Sequence, residues 1–292
     1  MTKMILTGAN GGVGGIMQRM APRYGNISLV PYSRSELDIT DAGALTSCFS
    51  RLKPQYVLNA AAFTNVDMAE KDPAAAYRLN AECLSGMVAA CRECGAVLVH
   101  LSTDYVFDGN KRNPYTEDDL PAPVNEYGKS KREGELIVLS YEKGVVVRTS
   151  WVYSQFSRNF LAAIPRLLAG RSEPLYVDSI QVNSPTYAPD LADALYKLAG
   201  HGLASGLYQY TSEGGGCDRY TFATRIRELM TAGVGSYTGT LAPVLPLTED
   251  TESGGAPRPL YTVMSPALIS KKLGLDIPHW EDRLVKFLRN EI

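Results

Sequence analysis

Short apolar runs alternate with longer stretches along the first half of the chain. The runs are Met4 to Thr7, Ile27 to Tyr32, Tyr56 to Asn59, Val97 to Leu101 and Val145 to Val147. Each is too short for a helix and too uniformly apolar for a strand with one wet face. Each therefore reads as a strand buried on both sides. Between them, apolar residues recur at helical spacing: through Met17 and Met20, from Asp41 to Leu52, from Asp67 to Glu93 with a break at Pro73, and from Tyr127 to Tyr141. Strands alternating with helices predict an α/β fold, a doubly wound parallel sheet covered on both faces. The second half is more mixed. It offers one further strand, Leu207 to Tyr210, and helices near Leu191, Phe222, Leu268 and Leu284. Thr231 to Arg258, rich in Gly, Pro and Thr, reads as loops. The pattern divides the chain into a first domain, 1–152 with 180–212 returning to it, and a smaller lobe from 153–179 and 213–292.

Composition narrows the class. The chain has 292 residues, 45% hydrophobic and 21% charged, with net charge −2 and no block of like charges. Neither a nucleic-acid nor a membrane-surface partner is indicated. No apolar run approaches the ~20 residues of a membrane span. The chain enters a strand-like run directly after Met1, so no signal peptide is expected. Five cysteines, an odd number, fit a reduced cytoplasmic protein better than a disulfide framework. Cys91 and Cys94 have redox-motif spacing but close a helical pattern before Gly95, where the negative helix end disfavours a thiolate. They read as structural. The three histidines are scattered, and no metal site is expected.

The chemistry concentrates beyond the carboxyl ends of the strands, where open α/β sheets bind ligands. Gly8-x-x-Gly11-x-x-Gly14 joins the first strand to the first helix. A turn of this kind lets backbone approach a pyrophosphate at a helix N-terminus. Arg34 follows the second strand, with no carboxylate at the strand end, and is a candidate ligand for an NADP 2′-phosphate. Asp38 and Ile39 would sit by the adenine. Ala60, Ala61 and Ala62 end the third strand with small side chains that let a cofactor lie close. Thr103 ends the fourth strand as a hydrogen-bond donor. Tyr127 and Lys131 share a helix face at i, i+4, where a lysine charge would lower the tyrosine pKa and make it a usable proton donor.

Together these residues resemble an extended short-chain dehydrogenase/reductase and, more narrowly, the dTDP-4-dehydrorhamnose reductase family. The matching stretches are Asn59 to Glu70, Ser102 to Phe107, Tyr127 to Glu135, Arg148 to Tyr153, Ser184-Pro185-Thr186 with Asp190-Leu191-Ala192, and Arg258-Pro259. The resemblance implies a Rossmann-like fold with a smaller C-terminal substrate-binding lobe. It implies NADPH as cofactor, with NADH as a second donor, and a nucleotide-linked 4-keto-6-deoxy sugar as substrate, in a monomer or homodimer. Thr103, Tyr127 and Lys131 would be the catalytic trio. Gly8, Asn10, Gly11, Gly12, Val13, Gly14, Arg34, Asp38, Ile39, Ala60, Ala61, Ala62, Thr64, Tyr127 and Lys131 would hold the cofactor. Val66, Thr103, Asp104, Tyr105, Trp151 and Arg258 would meet the sugar nucleotide. Two departures stand out in Ile180-Gln181-Val182-Asn183-Ser184-Pro185-Thr186, where the family reads Asp-Gln-x-Gly-x-Pro-Thr. Asn183 can replace glycine in a left-handed turn; the aspartate lost at Ile180 has no such substitute. The rival functions are another sugar-nucleotide enzyme of the superfamily, an epimerase or dehydratase, and a non-catalytic NADP-binding regulatory subunit. Dehydratases of this kind carry a glutamate where Tyr105 stands.

Overall fold

The structure, a computed structural model, describes residues 1–248 and 255–292; residues 249–254 of the expected loop region lie outside it. In chain order the elements begin β1 (Thr2–Thr7), α1 (Gly12–Met20), β2 (Ile27–Tyr32), α2 (Ala42–Leu52), β3 (Tyr56–Asn59), α3 (Val66–Lys71) and α4 (Pro73–Tyr77). One wider, π-type turn (Arg78–Glu82) then leads into α5 (Cys83–Cys94). They continue β4 (Val97–Thr103), α6 (Glu126–Leu139), β5 (Gly144–Thr149), β6 (Val152–Tyr153), α7 (Phe160–Leu168), β7 (Leu175–Asp178), β8 (Thr186–Tyr187) and α8 (Ala188–His201). The last are β9 (Gly206–Gln209), α9 (Arg219–Thr231), β10 (Val244–Leu247), α10 (Ala267–Leu273) and α11 (Trp280–Leu288).

Six parallel strands form the central sheet in the order β2-β1-β3-β4-β5-β9. The alternating side chains of these strands feed two separate cores, which is why the strands are apolar at nearly every position. Met4, Leu6, Leu58, Val99, Val145 and Val147 pack under α1, α8 and α10. Ile5, Val57, Leu98 and Val146 pack under α2, α5 and α6. A third core lies apart from the sheet, where Tyr153 meets Phe222, Phe287 and Tyr187, with Trp280 against Phe222. It joins α7, α9 and α11 to the two-stranded sheets β6-β8 and β7-β10.

The strand pattern is met at every predicted strand, with no end shifted by more than two residues. Pro73 does break the helix: Asp72 caps α4, and Pro73 occupies its first position, where a missing N–H costs nothing. The small sheets and α7 were not foreseen. β6 and β8 are only two residues long, β7 and β10 are not uniformly buried, and α7 contains Pro165. Within Thr231 to Arg258, the expected loops include a strand, β10. Asn183 does not take a left-handed turn, because its backbone φ is not positive.

Candidate active site

The backbone of the glycine turn is fixed by contact. A Cβ on Gly8, whose φ is +75°, would lie 2.6 Å from the Ala60 carbonyl carbon. One on Gly14 would lie 2.3 Å from the Gly8 carbonyl oxygen. Gly8 thus lets β1 pass against the end of β3, and Gly14 lets α1 start directly over the turn. The N-terminus of α1 has no side-chain cap, and Gly11, Gly12 and Val13 at its start line the cleft above the sheet.

Tyr127 is set by the start of α6. The Asn125 side chain caps this helix by accepting from the Gly128 N–H at 2.8 Å. A Cβ on Gly128 would come 2.1 Å from the Tyr105 carbonyl oxygen, so α6 can rest on the turn after β4 only with glycine there. Tyr105 and Tyr127 then meet edge to face, centroids 5.9 Å apart. Asn80, in the π-type turn, ties α6 to the cleft wall through Ser130 Oγ, at 3.0 Å, and through both backbone groups of Phe63.

A cavity of about 730 Å³ lies between the glycine turn and the ends of β3, β4 and β5. It brings together Gly8, Asn10, Gly11, Gly12, Val13, Arg34, Asp38, Ile39, Ala60, Ala61, Ala62, Thr64, Thr103, Asp104, Tyr127, Lys131 and Trp151. Gly14, Val66, Tyr105 and Arg258 do not line it. Gly14 serves packing. Val66 opens α3 behind its cap Asn65. Tyr105 is buried behind Tyr127. Arg258 makes a bidentate bond to Asp67, at 2.9 and 3.0 Å. The Asp67 carboxyl is held below its usual range by the Ala256 N–H and then by this arginine, against a burial cost.

Ser157, Arg158 and Asn159 also line the cavity, and the sequence pattern gave no sign of them. They belong to the loop before α7, which reaches back over the turn: a Cβ on Gly12 would sit 3.2 Å from Ser157 Oγ. Asn159 is legible in hindsight as the α7 cap, accepting from the Ala162 N–H.

The electrostatics differ from the expected form at Tyr127. Burial dominates at its hydroxyl and holds the pKa well above the usual phenol value, with the nearby Thr103 hydroxyl opposing it only in part. Lys131 does not offset this. Its Nζ donates to the Leu101 carbonyl at 2.6 Å and lies 3.0 Å from His100 Nε2. Burial pushes the Lys131 pKa down to about 8. The i, i+4 spacing put both side chains on one face but could not show that the sheet behind the helix would engage the amine.

Asp104 is fully enclosed. Burial raises its pKa, opposed by hydrogen bonds from Thr262, Asn183 and Thr103. The Thr103 hydroxyl lies 3.1 Å from one carboxylate oxygen, and Asn183 Nδ2 lies 2.8 Å from the other. Asn183 thus replaces the family's glycine with a side chain that bonds to the turn beside Thr103. The loop that lacks aspartate at Ile180 keeps one two residues earlier. Asp178 accepts from Arg219 at 2.7 Å and from the Ile180 N–H at 2.8 Å, and the Arg219 guanidinium lies over the Trp151 ring at 4.9 Å. Trp151 itself has φ +41°, a costly conformation for a bulky residue and one concentrated at functional sites.

Cys91, the buried member of the Cys91/Cys94 pair, has its thiol pKa raised by burial, more directly than by the helix end. Among the described residues no group of three or more His, Cys, Asp or Glu could hold a metal ion, and no helix is long and apolar enough to cross a membrane.

Comparison with known proteins agrees with this fold. The family model of the RmlD substrate binding domain matches residues 2–292. The spore coat polysaccharide biosynthesis protein SpsK of Bacillus subtilis is 37% identical over 99% of this chain and 98% of its own. A dTDP-4-dehydrorhamnose reductase of Burkholderia thailandensis is 36% identical, with 95% of each chain covered. The crystal structure of a dTDP-4-dehydrorhamnose reductase from Bacillus anthracis in complex with NADP superposes with a TM-score of 0.89, at 34% identity, covering 98% of this chain and 99% of that one. With a parallel α/β sheet, a glycine turn fixed by contact and Thr103, Tyr127 and Lys131 on one cavity, the chain belongs to the RmlD substrate-binding-domain family.

Proposed function

We propose that the protein is an NADPH-dependent reductase of the C4 ketone of a nucleotide-linked 4-keto-6-deoxy sugar, converting dTDP-4-dehydro-L-rhamnose to dTDP-L-rhamnose. The observation that carries this reading is that Thr103, Tyr127 and the glycine turn line one cavity. The residues present fit the cofactor. A Cβ would fill the space at Gly8 and Gly14, the uncapped α1 N-terminus offers donors to a pyrophosphate, and Arg34 is exposed at the adenine end beside Asp38. NADPH supplies the hydride when bound.

Everything else falls to this chain. Thr103 and Tyr127 both line the cavity, and a sugar carbonyl oxygen there would accept from Tyr127, and from Thr103 once its proton turns away from Asp104. Tyr127 gives its proton to that oxygen as negative charge develops there, and its high pKa keeps it protonated until then. Thr103 Oγ1 donates to Asp104 and accepts from the Tyr105 N–H, so the position of its oxygen does not depend on substrate. Trp151 offers a flat apolar face at the other wall. Val66, Tyr105 and Arg258 would act on the sugar nucleotide through the walls they support. The division into a cofactor domain and a substrate lobe is part of the proposal. The third core supports it, with α10 assigned to the cofactor domain because it packs on the α1/α8 side.

The test is turnover. Purified protein given NADPH and a nucleotide-linked 4-keto-6-deoxyhexose should consume the cofactor, and Tyr127→Phe should do so roughly 10²–10⁴-fold more slowly. Tight NADP binding without conversion of any nucleotide sugar would favour the regulatory-subunit reading instead.

A further inference from the structure

Behind Lys131 runs a buried chain of side chains that the reaction as proposed does not use. Thr7 Oγ1 donates to Asn59 Oδ1 at 2.6 Å, and the Ala61 N–H reaches the same oxygen at 3.2 Å. Asn59 Nδ2 lies 3.0 Å from His100 Nδ1, and His100 Nε2 lies 3.0 Å from Lys131 Nζ. All four side chains are almost wholly buried, Thr7 and Lys131 at 1% and 2% exposed and the other two at 0%.

Proton counting along this chain has one solution. The Ala61 N–H can only donate, so the atom facing it must be the amide oxygen of Asn59. A flipped amide would set donor against donor. Asn59 Nδ2 therefore donates to His100 Nδ1. Burial, and then the lysine charge, hold the His100 pKa well below its usual value, so the ring is neutral and carries one proton. With Nδ1 accepting, that proton sits on Nε2 and points at Lys131. Only an amine with a free lone pair can accept it. An ammonium would face a second donor and has to move off His100.

We propose that His100 is a positioning residue for Lys131: fixed by Asn59 as the Nε2–H form, it docks the neutral lysine amine against β4, and protonation releases the ammonium toward Tyr127. The lysine then has two places, one per protonation state. This explains why Tyr127 feels no help from Lys131.

The other groups around Lys131 are quiet. Glu135, one turn along α6, bonds with Arg148, Arg132 and Ser102. Cys83 on α5 has its thiol pushed up to about 12 by burial and stays protonated. Tyr127, one turn earlier on α6, is a protonated phenol. His100 on β4 is left as the group whose proton placement selects the lysine state.

Nitrogen-15 NMR of histidine-labelled protein without cofactor reads this directly, since the chain has three histidines and His100→Gln identifies the signal. Above pH 8, His100 should carry its proton on Nε2 with Nδ1 bare. A proton on Nδ1 would overturn the proposal and needs no activity to be seen. Asn59→Asp supplies an acceptor in place of the donor. It should move the proton to Nδ1, make Nε2 an acceptor for the ammonium, and raise the Lys131 pKa by about one unit or more. This arm rests on the proposed reaction, because the shift is read as the alkaline limb of kcat/KM moving to higher pH. A limb that stays put or moves down while the histidine proton has moved would also overturn the proposal.

Discussion

The two ends of the cavity are built in different ways. At the glycine-turn end the walls are backbone. Gly8 and Gly14 allow contacts at which any Cβ would collide, and β3 ends in three alanines. At the Trp151 end the walls are side chains tied across long stretches of sequence. Asn183 reaches Asp104 over 79 positions, Thr262 reaches it over 158, and Arg258 reaches Asp67 over 191. The first end depends on local rules that any β-α turn must obey. The second depends on side chains brought together from distant parts of the sequence, so it can change while the first stays fixed.

The largest expected effect lies where the two ends meet. Tyr127→Phe keeps the ring contact with Tyr105 and removes the proton donor. General acid catalysis is worth roughly 10²–10⁴-fold, and kcat should fall on that scale while NADPH binding survives. A Phe variant with full activity would remove Tyr127 from the chemistry.

A smaller loss is expected from the side-chain end. Asn183→Ala deprives the buried Asp104 of one donor, and leaving such a group short costs ~1–3 kcal/mol. Thermal unfolding should shift down accordingly. The sugar KM should rise while the NADPH Kd changes less than about twofold, well under the ~1.4 kcal/mol of a tenfold change. Equal losses for both ligands would show that the two ends are one unit and would break the comparison.

The backbone end should show the reverse selectivity. Arg34→Ala removes an exposed guanidinium without touching the turn. The NADPH KM should rise by roughly tenfold, the scale of one hydrogen bond to a charged group, and the NADH KM should barely move. Equal changes with both cofactors would mean that Arg34 does not meet a 2′-phosphate. Trp151→Ala should have the smallest effect, raising the sugar KM by a few-fold, about 1 kcal/mol of stacking, with NADPH unaffected.

The same contrast governs what the sequence could reveal. The strands, the glycine turn, Thr103 and the Tyr127-Lys131 spacing were legible because each is a local pattern. The cavity accordingly gathers every cofactor residue named from sequence except Gly14. Val66, Tyr105 and Arg258 came from resemblance alone, and they stand behind the wall rather than on it. Ser157 and Arg158 carried no signal, because their place is set by the loop before α7 reaching back over the glycine turn. The Lys131 surroundings were misjudged for a related reason. Helix spacing reports neighbours on the helix, whereas His100 and the Leu101 carbonyl come from the strand beneath. Asn183 suggested a left-handed turn by its residue type, yet the structure uses its side chain.

The central claim, net reduction of a sugar ketone, is tested most directly by stoichiometry. NADPH absorbance and sugar product should be followed together with a nucleotide-linked 4-keto-6-deoxyhexose and with the parent nucleotide-glucose. The account predicts loss of one NADPH for each keto sugar converted and no change with the parent sugar. Sugar conversion without net loss of NADPH would contradict it and identify an enzyme that recycles its cofactor within each turnover.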